Sequence, residues 1–374
     1  MNGIYIHIPF CRHKCNYCNF FSIASIKYKS DFIKVLLKEI ELQINYLPNK
    51  KINTIYFGGG TPSMLSVDEI NLILNKINQL FSIEKDAEIT LEANPDDLID
   101  RKIIELKNSA INRVSVGIQS FNDDDLHYLN RKHNSEQAKN SISQLKEFGF
   151  ENISIDLIYG IPTLTEKKWE QNLEKFFALE IPHLSAYSLT VEKNTILDNL
   201  IRKGKAKNIS ENLSIEHFKY LLNRMDVNGF VHYEISNFSK PGCQSKHNSI
   251  YWSGGKYLGL GPSAHSFNGN ARQWNVSNIS KYIQSINNGI IPAEIEILNT
   301  NQKYNEYIMT SLRTIGGCKE NVIKEQFGEK YLGYFLKTSK KHLQNRTLIV
   351  EDEKYILSQT GKLFADGISS DLFL

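Results

Sequence analysis

The sequence predicts an α/β fold, namely a partial parallel β/α barrel followed by a C-terminal, mainly helical domain. Six short β-branched or aromatic segments alternate with stretches of helical spacing, which is typical of parallel βαβ units. No dinucleotide-binding glycine fingerprint opens any unit, which favours a barrel over an open dinucleotide-binding sheet. Most unusual polar or Gly-rich groups follow the C-terminal ends of these segments, where parallel barrels build their sites.

The predicted strands and helices follow one another along the first half of the chain. The strands are residues 4–8, 52–57, 88–92, 113–118, 153–158 and 183–189. The first helix has an apolar face made of Phe32, Val35, Leu36, Ile40 and Ile44. The second has one made of Ile70, Ile73, Leu74, Ile77 and Leu80. Ser66 followed by Glu69 predicts a capping box at the start of the second helix.

The pattern changes after about residue 190. A helix is predicted over residues 215–225, an aromatic and Gly-rich stretch follows, and helical spacing returns from about Lys281. The last part reads as a small helical module ending in a hairpin-like stretch at 347–357. We therefore predict three domains, which are a barrel (1–229), an aromatic and Gly-rich extension (230–290) and a C-terminal helical domain (291–374).

Composition and charge argue against several classes of protein. The 374 residues are 41% hydrophobic and 23% charged, and the net charge of +3 is dispersed along the chain, which does not indicate a nucleic-acid partner. No apolar run approaches the roughly 20 residues of a membrane helix. The start, from Met1 to Phe10, lacks the basic region of a signal peptide. We expect a cytoplasmic protein without a membrane span.

Three of the five cysteines lie within eight residues, in a loop leaving the first strand. Cys11, Cys15 and Cys18 form a C-x3-C-x2-C motif, which indicates a metal site rather than a disulfide framework. Such spacing lets one loop hold three corners of a [4Fe–4S] cluster and leaves one iron open for a further ligand. A structural zinc site needs a fourth ligand, and His13 is the alternative that would supply it.

Further motifs follow in order between Tyr5 and Pro162, and the resemblance that they carry covers nearly the whole chain. They are Tyr5-Ile-His7-Ile-Pro9-Phe10-Cys11, Gly58-Gly-Gly60-Thr61-Pro62, Glu92-Ala-Asn94-Pro95, Val116-Gly117-Ile-Gln119-Ser120, Asn130-Arg131-Lys-His133 and Asp156-Leu-Ile-Tyr159-Gly160-Ile-Pro162. Their order and spacing resemble oxygen-independent coproporphyrinogen III oxidase and its relatives among the radical-SAM proteins. The resemblance implies a radical-SAM partial (β/α)6 barrel in which S-adenosylmethionine (SAM) chelates the open iron of the cluster.

The resemblance also implies which residues hold SAM. The glycines that end the second strand let the backbone approach the amino-acid part of SAM, and Glu92 accepts hydrogen bonds from the ribose hydroxyls. Gln119 and Arg131 match positions that hold the carboxylate and the ribose. The implied set comprises Tyr5, Tyr17, Asn19, Gly59, Gly60, Thr61, Glu92, Gln119, Arg131 and Asp156. Asp156 could instead be a buried acid bonded to the barrel, and Tyr5 a core residue.

Two departures from the oxidases resemble the haem chaperone branch of this family. Phe20 stands where the oxidases usually have a further cysteine, and the predicted first strand starts at Gly3 without an N-terminal extension. His247-Asn248-Ser-Ile-Tyr251-Trp252 matches the H-N-x-x-Y-W motif of that branch. An imidazole can ligate haem iron and the aromatic rings offer flat apolar surface. The alternative is a packed, hydrogen-bonded histidine, and Cys243 and His265 are rival ligands.

The resemblance predicts a haem chaperone that binds haem and delivers it to respiratory haem proteins at the inner face of the membrane. The alternative is a SAM-dependent coproporphyrinogen III dehydrogenase, although this oxidase activity is not expected. A radical-SAM enzyme acting on another substrate also fits the barrel, but it leaves the His247 motif unexplained. The sequence leaves a homodimer open.

Overall fold

Six parallel strands form the centre of the molecule in the computed structural model, which describes residues 1–374. They are Asn2–Ile8 (β1), Lys51–Gly59 (β2), Ser82–Ala93 (β3), Arg113–Gln119 (β4), Ile153–Tyr159 (β5) and His183–Ser188 (β6). Each pairs with the next in chain order, as in βαβ units, and Tyr5 lies opposite Tyr56. All six predicted strands are confirmed. β3 begins six residues earlier than predicted because its polar first part pairs with the start of β2.

Helices connect these strands and cover one face of the sheet with their apolar sides. They are Lys29–Leu42 (α1), Val67–Leu80 (α2), Asp100–Lys107 (α3), Asp123–Tyr128 (α4), Ser135–Glu147 (α5), Glu166–Ala178 (α6), Ile196–Arg202 (α7) and Glu211–Val227 (α8). The capping box at Ser66 and Glu69 is confirmed. Ile44 lies beyond the end of α1, in the turn that leads to Pro48, and does not extend the helical face.

The chain after α8 extends the sheet at both edges. Its elements are Val231–Glu234 (β7), Asn237–Ser239 (β8), Lys246–Trp252 (α9), Lys256–Leu260 (β9), His265–Phe267 (β10), Ala271–Asn275 (β11), Ile279–Asn287 (α10) and Ala293–Ile297 (β12). The strand order is β12-β11-β10-β9-β1-β2-β3-β4-β5-β6-β8-β7. The predicted aromatic and Gly-rich stretch therefore contributes short strands to the barrel sheet, and β9 runs parallel to β1.

The last part of the chain packs around a second, smaller hydrophobic core. Its elements are Thr300–Leu312 (α11), Cys318–Lys319 (β13), Glu320–Phe327 (α12), Glu329–Gln344 (α13), Leu348–Glu351 (β14), Lys354–Leu357 (β15), Gln359–Lys362 (α14) and Ala365–Asp371 (α15). The hairpin is present as antiparallel β14 and β15, but two short helices follow it. The three domain boundaries stay a prediction. None of the helices is both long and apolar enough to cross a membrane.

Candidate functional site

The loop carrying the three clustered cysteines is held in place by backbone and amide hydrogen bonds. The N–H of Cys11 donates to the carbonyl of Ile23 at 3.1 Å, which closes the base of the loop. Further along, the backbone and side-chain amides of Asn16 donate to the carbonyls of Leu129 and Tyr128, at 3.1 and 3.0 Å. All three thiols consequently face one cavity at the C-terminal ends of the barrel strands.

Donors surround two of the thiols. The hydroxyl of Thr61 donates to the sulfur of Cys11, and a guanidinium nitrogen of Arg131 donates to that of Cys15, both at 3.5 Å. Burial raises the pKa of Cys18 to about 11 and also raises that of Cys11. A bound metal would stabilise the thiolate forms that burial disfavours. The thiols and their donors therefore fit a thiolate-bound cluster.

The close approach of β2 to this loop requires glycine. A Cβ at Gly60 would lie 2.7 Å from the carbonyl oxygen of Phe10 and 3.1 Å from the sulfur of Cys11. No three His, Cys, Asp or Glu side chains in the protein converge closely enough to hold a single metal ion. The thiolates of a [4Fe–4S] cluster bind three different irons and need not converge on one point. The arrangement is thus compatible with the cluster.

The cavity behind the thiols has a volume of about 430 Å³ and collects side chains from all six barrel strands or the loops that follow them. Every residue predicted for the cluster and for SAM lines it, except Tyr5. These are Cys11, Cys15, Tyr17, Cys18, Asn19, Gly59, Gly60, Thr61, Glu92, Gln119, Arg131 and Asp156. The structure therefore brings together, in one place, residues as far apart in the sequence as Cys11 and Asp156.

Two carboxyl groups at the cavity wall lack full compensation for their burial. Burial raises the pKa of Glu92 to about 7, although the hydroxyl of Tyr56 donates to it at 2.7 Å and the N–H of Gly59 at 3.2 Å. Burial also raises the pKa of Asp156 to about 6. A ligand that offers hydroxyl and ammonium donors would favour the ionised forms. The ribose and amino group of SAM have those donors.

Arg131 provides a buried positive charge at the cavity wall. One guanidinium nitrogen donates to the side-chain oxygen of Asn94 at 2.8 Å and to the carbonyl of Gly117 at 2.5 Å, whereas Nε has no partner. Gln119 has a φ of 71°, an uncommon conformation for a residue other than glycine. Such backbone conformations persist where surrounding structure fixes them, often at ligand sites. Both side chains could hold a carboxylate.

Comparison with known proteins agrees with this geometry. Residues 5–176 match the Radical SAM superfamily. The chain is 35% identical over 373 residues to the heme chaperone HemW of Bacillus subtilis, covering 98% of each protein. It is also 35% identical over 363 residues to the heme chaperone HemW of Lactococcus lactis, covering 95% of this chain and 92% of that one. The chain belongs to the HemW family.

A solved structure supports the same fold. Coproporphyrinogen III oxidase (HemN) from Escherichia coli, a radical SAM enzyme, has a TM-score of 0.86 with this protein, covering 100% of this chain and 90% of that one. The sequence identity is 21%, so this likeness shows the fold alone. The predicted radical-SAM partial barrel, with its C-terminal, mainly helical domain, is confirmed.

The histidine of the HemW-branch motif lies outside the cavity. His247, on α9, is 1% exposed, and Nδ1 is hydrogen-bonded to the hydroxyl of Thr54 at 2.7 Å. Nε2 is hydrogen-bonded to the hydroxyl of Tyr251 at 2.8 Å. Of the rival ligands, His265 is exposed and stacks on Trp274, and Cys243 is partly exposed. In this conformation neither nitrogen of His247 is free to bind iron.

Tyr5 and His7 lie behind the cavity wall and brace it. The hydroxyl of Tyr5 is hydrogen-bonded to Nδ1 of His7 at 3.2 Å, and the Tyr5 ring stacks on Tyr56. Nε2 of His7 is hydrogen-bonded to the carbonyl of Phe21, next to the cluster loop, at 2.8 Å. Tyr5 is thus placed to support the site rather than to line it.

Sequence reasoning missed Tyr56, Asn94 and Tyr187 as site residues. Tyr187 lines the cavity at the end of β6, and Asn94 lines it while binding Arg131. Tyr56 precedes the glycines of β2 by two residues, and side chains two apart on a strand share a face. That alternation could have placed Tyr56 on the inner face of the barrel.

Proposed function

We propose that this protein is a haem chaperone that binds haem and delivers it to respiratory haem proteins. The observation that carries the proposal is its similarity, over 98% of both chains, to a protein named heme chaperone HemW. The H-N-x-x-Y-W motif and Phe20 support it, because both distinguish the chaperone branch from the oxidases it resembles. Phe20 is 65% exposed at the cavity.

The proposed cofactors are a [4Fe–4S] cluster on Cys11, Cys15 and Cys18 and a SAM molecule beside it. Such a cluster supplies an electron to SAM when it is reduced. Glu92 and Asp156 would accept hydrogen bonds from SAM, because both line the cavity and Glu92 has only two donors within the protein. Arg131 would balance the SAM carboxylate. Whether SAM is cleaved is a separate question from whether haem is carried.

We propose His247 as a haem ligand. Both of its ring nitrogens are hydrogen-bonded, to Thr54 and Tyr251, so ligation has to break at least one of these bonds. His265 is the accessible alternative because it is exposed. The proposed recipients are respiratory haem proteins, and the proposed place of action is the cytoplasmic face of the membrane.

The second candidate function is a SAM-dependent coproporphyrinogen III dehydrogenase. The full-length fold likeness to coproporphyrinogen III oxidase and the complete set of cavity residues favour it. Both candidate functions need the cluster and SAM, so the presence of either cofactor does not discriminate between them. Haem binding would indicate the chaperone, and porphyrinogen turnover would indicate the dehydrogenase.

The test is a haem titration of the anaerobically reconstituted protein, followed by absorbance, together with His247→Ala and His265→Ala variants. We expect stoichiometric binding that weakens at least ten-fold in His247→Ala and stays unchanged in His265→Ala. The same preparation is assayed anaerobically for coproporphyrinogen III conversion with SAM and a reductant. Turnover without haem binding would contradict the chaperone and support the dehydrogenase.

A further inference from the structure

His247 and the SAM cavity are joined through one tyrosine. The His247 ring stacks on Tyr56 with centroids 4.9 Å apart and planes inclined by 25°. The hydroxyl of Tyr56 donates to Glu92 at 2.7 Å. Tyr56 is therefore in contact with the motif helix α9 on one side and with the cavity carboxylate on the other.

The surroundings of Tyr56 leave its ring little freedom. Tyr5 stacks on it with centroids 6.1 Å apart, and Tyr56 itself is buried. A Cβ at Gly58 would lie 2.9 Å from the rings of both tyrosines and 3.2 Å from Glu92. Glycine at this position lets the rings and the carboxylate pack together. Because the rings are closely packed, a displacement of His247 changes the packing of Tyr56 and Tyr5.

The position of α9 against this stack is also closely fixed. A Cβ at Gly3 would lie 2.7 Å from the hydroxyl of Thr54 and 3.2 Å from the ring of His247. Because Nδ1 of His247 binds that same hydroxyl, the imidazole plane is fixed relative to Tyr56. Haem ligation would have to break this bond or the one to Tyr251.

We propose that Tyr56 is a positioning residue that couples the state of His247 to the SAM-binding carboxylate of Glu92. When His247 leaves the stack to bind haem iron, Tyr56 loses one of its two ring neighbours and holds Glu92 less firmly. SAM then binds more weakly, and by thermodynamic reciprocity SAM weakens haem binding by the same factor. This inference rests on the proposed function, because it assigns haem to His247 and SAM to the cavity.

The hydrogen bond from Tyr56 also sets the charge of Glu92. It lowers the pKa of Glu92, although burial outweighs this effect and raises that pKa to about 7. The groups that face Glu92 from the packed elements are Tyr5 of β1, Tyr56 and Gly59 of β2, Arg113 of β4, Asp156 of β5, Tyr187 of β6 and Tyr251 of α9. Only the bond from Tyr56 is lost in a Tyr56→Phe variant, so the pKa of Glu92 rises there.

The test measures SAM affinity in the cluster-loaded protein as a function of pH, first without haem and then with haem added. Tyr56→Phe should weaken SAM binding about ten-fold and shift the midpoint of its pH dependence upward. His247→Ala should weaken it several-fold, and His247→Phe, which keeps a flat ring beside Tyr56 but no ligand atom, should weaken it less than His247→Ala does. Haem should weaken SAM binding in the wild type and leave it unchanged in His247→Phe.

A matched control separates this role from loss of stability. His183 is buried and also hydrogen-bonded through both nitrogens, to Ser154 and Tyr233, each at 2.7 Å. His183→Ala should destabilise the barrel without a pH shift in SAM binding. Wild-type SAM affinity in Tyr56→Phe, or equal losses in His247→Phe and His247→Ala, would overturn the coupling. Absence of haem binding would overturn the proposed function instead, since the variants are compared with wild type for SAM affinity in the absence of haem.

Discussion

Buried carboxyl groups of this protein differ in how completely they are satisfied. Glu39 on α1 accepts hydrogen bonds from the N–H of Gly261 at 2.8 Å, the amide of Asn275 at 2.6 Å and the hydroxyl of Tyr282 at 2.5 Å. Glu92 has two donors and an open side toward the cavity. Burial raises the pKa of each to about 7. The number of hydrogen-bond donors, and not the degree of burial, distinguishes Glu39, a structural acid, from Glu92, a candidate ligand-binding acid.

The raised pKa of Glu39 predicts a pH-dependent stability. Between about pH 4.5 and its folded pKa of about 7, folded Glu39 keeps a proton that the unfolded chain has released, so its contribution is lost as the pH rises. Glu39→Gln lacks this dependence. We expect its free energy of unfolding, relative to wild type, to rise by roughly 3 kcal/mol from pH 4.5 to pH 8.5.

Denaturant unfolding of both proteins at the two pH values measures this difference, and the titration of all other groups cancels. Glu41→Gln is the control, since Glu41 lies on the same helix but is exposed and pairs only with Lys76 at the surface. A relative stability of Glu39→Gln that does not change with pH would contradict the assignment.

At the scale of an element, α9 depends on contacts far away in sequence. A seven-residue helix does not form alone in water. The carboxylate of Glu88 accepts the N–H groups of Lys246 and His247 at 3.0 and 2.9 Å, and the hydroxyl of Ser245 at 3.3 Å. Glu88 also lies 3.9 Å from the buried guanidinium of Arg113. One strand residue therefore fixes the helix that carries the motif histidine.

Glu88→Gln should release α9 selectively. The amide nitrogen of the new side chain replaces a carboxylate oxygen that accepts N–H groups of α9. The substitution also leaves the buried Arg113 without an anionic partner. Together these losses lower the free energy of unfolding by about 2–4 kcal/mol. Amide hydrogen exchange over residues 245–252 should accelerate at least ten-fold, whereas α2 keeps its protection. Lys246→Ala, which removes only the surface pair with Asp86, is the matched control. Unchanged exchange over residues 245–252 in Glu88→Gln would show that α9 is held by other contacts.

The strands and α9 show what the sequence can and cannot predict. β1 to β6 are recognisable because each is a local apolar run that ends in polar or Gly-rich residues. α9 has Ile250 as its buried apolar residue, beside the buried His247, so it offers no helical stripe. Thr54, which binds His247, lies 193 residues earlier in the chain. The motif marked His247 as a ligand candidate, but only the fold shows that both of its nitrogens are engaged.

For the whole molecule, the barrel presents two different regions. The C-terminal ends of the strands surround an open cavity lined by the three clustered thiols and by charged side chains that include Glu92, Asp156 and Arg131. Further back, α9 packs on Gly3 and Thr54 near the N-terminal ends. The sequence predicted the first region almost completely, because its residues follow strand ends. The second depends on how distant segments pack, which local patterns do not encode.

The central claim is that the protein carries haem to other proteins, and haem transfer tests it most directly. The haem-loaded protein is mixed anaerobically with a respiratory haem protein prepared without its haem, and the acceptor spectrum is followed. We expect the acceptor to gain haem stoichiometrically and faster than from albumin-bound haem at the same concentration. Haem that stays on the protein, or that reaches the acceptor no faster than from albumin, would contradict a chaperone.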